Sequence, residues 1–100
     1  MPGSDVRRIA DMGMVTVRYW AAAKQAAGVA EEKVSAGTLA EALAAATTAR
    51  ASAHAAGIFA AVLARSSFLV DGAPVGSRAP DSVDLPDAAV IEVLPPFAGG

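Results

Sequence analysis

The chain has 100 residues, a formal net charge of -2 and a 54% hydrophobic content, which fits one packed domain. Cysteine is absent, so disulfides, thiolate metal sites and a thiol nucleophile are excluded, and a reducing cytoplasmic setting is expected. The basic residues are scattered rather than gathered into a stripe, which argues against nucleic acid, and no apolar run is long enough to span a bilayer, which argues against a membrane.

Much of the hydrophobic content is alanine, so the core depends on a limited set of Val, Leu, Ile and Phe with Tyr19 and Trp20. Residues 1–13 lack the apolar segment of a secretory signal and read as a disordered leader, with Met14 as a candidate start. Alternation then begins. Val15, Val17 and Tyr19 share one face of a first strand, and Thr16, Arg18 and Trp20 share the other. Residues 21–27 form a short helical turn closed by Gly28. Residues 29–34 make a second strand, with Glu31, Glu32 and Lys33 largely in solvent. Thr38-Leu39-Ala40-Glu41 is a capping box, the Thr38 hydroxyl accepting from the Glu41 N–H and the Glu41 carboxylate reaching the Thr38 N–H. It opens the main helix, whose buried face carries Leu39, Ala42, Leu43 and Ala46 and which ends near Thr47-Thr48.

Residues 50–56 read as either helix extension or loop. Gly57 breaks this stretch, and Ile58, Phe59, Val62 and Leu63 make a short amphipathic turn that closes the core. Phe68-Leu69-Val70 is a strand leading into an Asp71-Gly72 turn, and Pro74 confines the short return to an edge. A loop over 76–84 and a turn at Leu85-Pro86-Asp87 precede the final strand, 90–94, with Ile91 and Val93 inward. The core is expected to hold Val15, Val17, Leu39, Leu43, Ile91 and Val93.

Chemistry-bearing residues are few. His54, the single histidine, has no nucleophile or ligand beside it in the pattern and reads as a surface residue. No metal site is expected. Lys24, Arg18, Glu31 and Glu32 read as solvated positions. Trp20 and Leu94 point away from the core face and read either as a docking patch or as positions covered by a helix or loop. The tail Pro95-Pro96-Phe97-Ala98-Gly99-Gly100 stands apart. Two prolines stop the sheet, and two glycines bring no side chain to pack, which suits either a frayed end or a terminus that threads a partner's narrow channel.

This pattern resembles the ubiquitin-like β-grasp fold and, more narrowly, the family of small sulfur-carrier subunits of molybdopterin synthase. The matching stretches are Val15-Thr16-Val17-Arg18-Tyr19-Trp20-Ala21-Ala22-Ala23-Lys24-Gln25-Ala26-Ala27-Gly28, Phe68-Leu69-Val70-Asp71-Gly72, and Val90-Ile91-Glu92-Val93-Leu94 with the Pro95-Pro96-x-x-Gly99-Gly100 tail. The sequence departs from the family's usual Asn-Gly with Asp71-Gly72, from its Asp-Gly-Asp with Asp87-Ala88-Ala89, and from its small tail residue with Phe97. The resemblance implies an α+β fold: a mixed sheet with one main helix packed across it, a β-grasp domain over 14–94 and a flexible functional tail over 95–100.

The resemblance also implies a non-catalytic carrier that binds no cofactor of its own. An E1-like adenylyltransferase would use ATP to turn the Gly100 carboxylate into an acyl adenylate. A sulfur donor would then displace AMP, leaving a thiocarboxylate. Pro95, Pro96, Phe97, Ala98 and Gly99 would thread the active site of the large catalytic subunit, with Trp20 and Leu94 docking it. Other readings are a carrier for thiazole or cysteine synthesis, a ubiquitin-like modifier joined through Gly100 to a lysine, and an interaction module with an inert tail.

Overall fold

The computed structural model describes residues 13–52 and 56–96. The first strand, β1 (Met14–Tyr19), buries Val15, Val17 and Tyr19 and turns Thr16 and Arg18 to the opposite face, as its alternation requires. The chain leaves through Trp20 into α1 (Ala21–Ala27), which ends at Gly28 with φ 81 and a Gly28 N–H donating to the Lys24 carbonyl. It returns as β2 (Glu31–Ser35), antiparallel to β1, with Val17 opposite Glu32.

Thr38 caps α2 (Leu39–Ala49), its hydroxyl accepting from the Glu41 N–H at 3.2 Å. The Glu41 carboxylate reaches one residue further back than the capping box assigns, accepting from the Gly37 N–H at 2.8 Å. Leu39, Ala42 and Ala46 are fully buried. The expected burial of Leu43 is corrected: it is half-buried. Ala42 and Ala46 are small enough to seat the centre of the helix close to the sheet, which leaves Leu43 on the margin.

A second correction concerns Gly57. It does not break the chain but lies inside α3 (Ala56–Arg65), a ten-residue helix rather than a short turn. Gly57 occupies the first turn, where backbone N–H groups lack intrahelical partners, so the usual cost of a glycine is small there. Phe59 and Leu63, four residues apart, are buried, while Ile58 is 62% exposed. This helix packs mainly against α1 and α2, beside the main helix α2, which packs on the sheet.

The strand β3 (Ser67–Val70) turns at Asp71 (φ 50) and Gly72 (φ 84) into β4 (Ala73–Pro74), two left-handed residues as a primed hairpin turn demands. Asp71 also grips the neighbouring strand: its N–H donates to the Val90 carbonyl at 2.8 Å and its carboxylate accepts from the Val90 N–H at 2.9 Å. A short 3-10 turn, Pro80–Ser82, leads to buried Val83 and a bridge between Thr38 and Asp84. The last strand, β5 (Val90–Leu94), lies at the centre, parallel to β1 and antiparallel to β3, in the order β2-β1-β5-β3-β4. Among the described residues no helix is long and apolar enough to cross a membrane.

Ala88 enters β5 at φ 65, a left-handed conformation that an L side chain adopts at a cost of about 1–2 kcal/mol. The turn keeps a glycine's geometry without a glycine. Ala88→Gly is expected to stabilise the domain by about 0.5–1 kcal/mol, the relieved strain less the extra unfolded-state entropy of glycine. Urea unfolding of the two chains measures this, and a destabilised variant contradicts the strain.

Candidate functional site

Positions whose side chains do not enter the core define the open face of the sheet. Alternation places Thr16 and Arg18 of β1, Leu69 of β3 and Val90, Glu92 and Leu94 of β5 opposite the helices. Trp20 continues this face beyond β1. Its N–H donates to the Val93 carbonyl at 3.2 Å, and its indole Nε1 donates to Glu92 Oε1 at 3.1 Å. Trp20 is 46% exposed and Leu94 is half-buried, so adjacent strand ends carry an apolar pair beside the exit of the tail. The Arg18–Glu31 pair at 3.2 Å flanks this patch, and both side chains are too exposed for it to contribute much stability.

After Leu94 the ladder ends. Ser67 opposes Leu94 on β3, Pro95 is half-buried and Pro96 exposed, and neither proline has an N–H to donate. Phe97, Ala98, Gly99 and Gly100 lie outside the described residues, as does His54. Among the described residues no group of three or more His, Cys, Asp or Glu is placed to hold a metal ion. What the described arrangement offers chemically is presentation: a rigid strand end, a doubly proline-marked exit and an adjoining apolar face.

The most concentrated polar cluster lies on the other side of the sheet, and the sequence reading missed it. Arg50, at the end of α2, is only 9% exposed. Its Nη1 donates to Glu32 Oε2 at 2.6 Å and to the Ala46 carbonyl at 3.0 Å, and its Nε donates to the Ala27 carbonyl at 3.0 Å. The guanidinium sits 4.7 Å from the Phe59 ring centroid and 5.4 Å from that of Tyr19. Tyr19 donates its hydroxyl to the same Glu32 oxygen. Glu32, read as a solvated strand residue, is instead partly buried between these two partners. The only sequence signal was a lone arginine in an alanine-rich run.

Burial is the main force pushing the Tyr19 phenol far above its ordinary range, with the hydrogen bond and the charge of Glu32 adding to it and Arg50 opposing. The folded state thus favours the protonated phenol. Its contribution to stability is whole below about pH 10, the unfolded value, and is lost as pH rises through the folded one. Tyr19 is the single tyrosine, so its absorbance is a clean probe. We expect it to stay protonated well above pH 10 in the native protein, with stability falling from there upward. Ionisation at the ordinary tyrosine value contradicts this account.

Neither a protein-family model nor a curated protein matches the sequence. Solved structures do match. The small archaeal modifier protein 1 of Methanosarcina acetivorans superposes with a TM-score of 0.72 at 21% identity, over 89% of this chain and 98% of that one. A Pyrococcus furiosus protein described as subunit 1 of molybdopterin converting factor gives 0.65 at 22%, over 85% and 99%. A chain in the complex of subunits 1 and 2 of the molybdopterin-converting factor of Helicobacter pylori gives 0.58 at 22%, over 87% and 99%. The α+β architecture is therefore the ubiquitin-like β-grasp fold that these proteins share.

Proposed function

We propose that the chain is a sulfur carrier, the non-catalytic small subunit of a cytoplasmic molybdopterin synthase. One observation carries the reading: the central strand of a β-grasp sheet ends at Pro95-Pro96 and leads, in sequence, straight into Phe97-Ala98-Gly99-Gly100. The fold shared with a subunit 1 that was solved bound to its subunit 2 supports a larger catalytic partner.

A carboxylate is a poor electrophile and needs activation. In the proposed reaction an E1-like enzyme joins the Gly100 carboxylate to AMP from ATP, releasing pyrophosphate. A sulfur nucleophile attacks the acyl carbon, AMP leaves, and the product is a Gly100 thiocarboxylate that donates sulfur for the dithiolene of molybdopterin. The chain itself binds no cofactor or metal in this scheme, and its tail residues 95–99 thread the partner. Intact mass of the chain isolated from its own cell tests the reading. The expected product is heavier by the difference between one sulfur and one oxygen, and only unmodified chain under conditions where the cofactor is being made overturns it.

Trp20 and Leu94 are assigned to docking the large subunit. Trp20→Asp or Leu94→Asp should weaken the complex at least tenfold, or about 1.4 kcal/mol, because a buried aromatic anchor often contributes about 2 kcal/mol or more. Trp20 is 46% exposed in the isolated domain, so the variant should stay folded. Calorimetry reads the affinity and circular dichroism the fold; unaltered affinity removes these residues from the interface. A second reading, a modifier joined to lysines of other proteins, is favoured by the 0.72 TM-score with a small archaeal modifier protein. Isopeptide-linked species in cell extract would support it.

A further inference from the structure

An open groove of about 830 Å³ runs along α1 and ends at Val29 and Ala30, where the chain enters β2. β2 is an edge of the sheet, and its phase is fixed at both ends. The Tyr19 N–H donates to the Ala30 carbonyl at 2.8 Å, and the Ala36 N–H donates to the Gly13 carbonyl at 3.0 Å. Glu32 and Val34 therefore direct their backbone groups to β1, while the N–H and C=O groups of Glu31, Lys33 and Ser35 point away from the sheet. Among the described residues no strand pairs with that side. The opposite edge is blunted, because β4 has two residues and one is a proline. β2 has five residues, Glu31 to Ser35, and neither proline nor glycine among them. We infer that β2 is a pairing edge for a second copy of this chain, the two β2 strands running antiparallel about a two-fold axis at Glu32. The inference does not depend on the sulfur-carrier reading.

Charge selects both this occupant and this register. An axis at Glu32 sets Glu31 opposite the second copy's Lys33, and Lys33 opposite its Glu31, all with outward backbone groups ready to exchange hydrogen bonds. A slip of two residues either way sets Glu31 against Glu31 or Lys33 against Lys33, and like charges directly opposite are destabilising. A slip of one residue faces outward groups with inward ones, so no ladder forms. On the open face Glu31 holds Arg18 at 3.2 Å, whereas Lys33 lies across from Thr16 and has no ion pair among the described residues. The second copy's Glu31 supplies that anion, so Arg18, Glu31 and Lys33 alternate in sign across the junction. On the helix side Glu32 meets its own copy, but Arg50 Nη1 at 2.6 Å neutralises each carboxylate. Val34, packed against the core, lies opposite the second copy's Ala30 and extends the apolar layer. Two strand spacings, about 10 Å, separate β2 from β5, so the pairing does not occupy the end of β5. Exposed ion pairs are weak and screened by salt, so the dimer is reversible and depends on concentration.

Sedimentation equilibrium of the full chain, followed up to about 1 mM, tests the pairing. The expected result is a reversible monomer–dimer equilibrium that added salt weakens. Glu31→Lys alone and Lys33→Glu alone each turn two attractive cross-strand pairs into repulsive ones, and each should weaken self-association at least about tenfold. An equimolar mixture of these two variants, or both changes in one chain, sets opposite charges together again and should recover the dimer. Lys33→Pro removes an outward N–H and no bond to β1, so it should also weaken the dimer. Circular dichroism checks that every variant is folded. In the parent chain, amide exchange should slow at Glu31 and Lys33 as concentration rises, while Glu32 and Val34, already bonded to β1, stay as they were. A chain that is monomeric at about 1 mM overturns the inference. So does a dimer that both single charge variants leave intact, or a mixture of the two that stays monomeric. A dimer lost in Trp20→Asp but kept in Lys33→Glu places the contact on the open face and overturns it as well.

Discussion

A chain that lacks Gly100, or carries one residue beyond it, is expected to lose thiocarboxylate formation by at least about 10²-fold while keeping its stability. On the sulfur-carrier reading the reacting carbon must arrive at a site deep in the adenylating partner. Displacing a reacting group by even ~1 Å can cost about 10²-fold, and one extended residue changes the reach by about 3.3–3.6 Å. The stability half follows from the core, none of whose described members lies beyond Val93. The assay is loading with the adenylating enzyme, ATP and a sulfur source, read by mass, beside urea unfolding of both chains. Equal loading of the shortened and intact chains ends the sulfur-carrier reading. Lost loading together with lost stability assigns the tail a structural role instead.

Arg50→Ala is expected to destabilise the domain by about 3 kcal/mol. Removing one partner of a buried ion pair costs about 3–5 kcal/mol, because the remaining charge is stranded. The lower end applies here, since the Glu32 side chain keeps 22% of its exposure and water can reach part of it. The Ala27 and Ala46 carbonyls, each in the last turn of a helix, lose their donor as well. Arg50→Lys should recover only part of the loss, because an ammonium offers a point charge where a planar fork now serves three acceptors and two rings. Urea unfolding at pH 7 measures both variants. A loss under about 1 kcal/mol for Arg50→Ala means the cluster is incidental to stability.

The parts of the fold that were legible from sequence are those whose cause is local. Alternation from Val15 to Tyr19, the Thr38 cap, the Asp71-Gly72 turn and the Ile91/Val93 face each follow from a few adjacent residues, and each is present. What stayed hidden depends on residues distant in sequence. Arg50 is buried because Ala27, Glu32 and Phe59 converge on it from three other parts of the chain. Leu43 is marginal because alanines, not leucines, set how closely α2 approaches the sheet. Gly57 misled because a glycine's cost depends on which turn of the helix it occupies. For the candidate site, the pairing of Trp20 with the end of β5 was foreseeable once β1 and β5 were taken as neighbours, whereas the Trp20–Glu92 bond and the groove along α1 needed three dimensions.

The central position of β5 also sets a condition on how the protein is made. The strand written last in the sheet is inserted between the first strand and the third, and β1 pairs with it across nearly the whole sequence, Thr16 to Val90. Bringing such distant segments together carries a chain-closure entropy that local hairpins avoid, so sheet completion is expected to follow the local β1–β2 pairing in folding, an order that pulse-labelled amide exchange would check. A nascent chain interrupted before Val90 can form the β1–β2 ribbon and the helices but cannot cover Val17, Tyr19 or Phe68 with Ile91 and Val93. The strand that leads to Pro95-Pro96 is therefore also the strand that finishes the core, and an incomplete product on the ribosome has no closed interior.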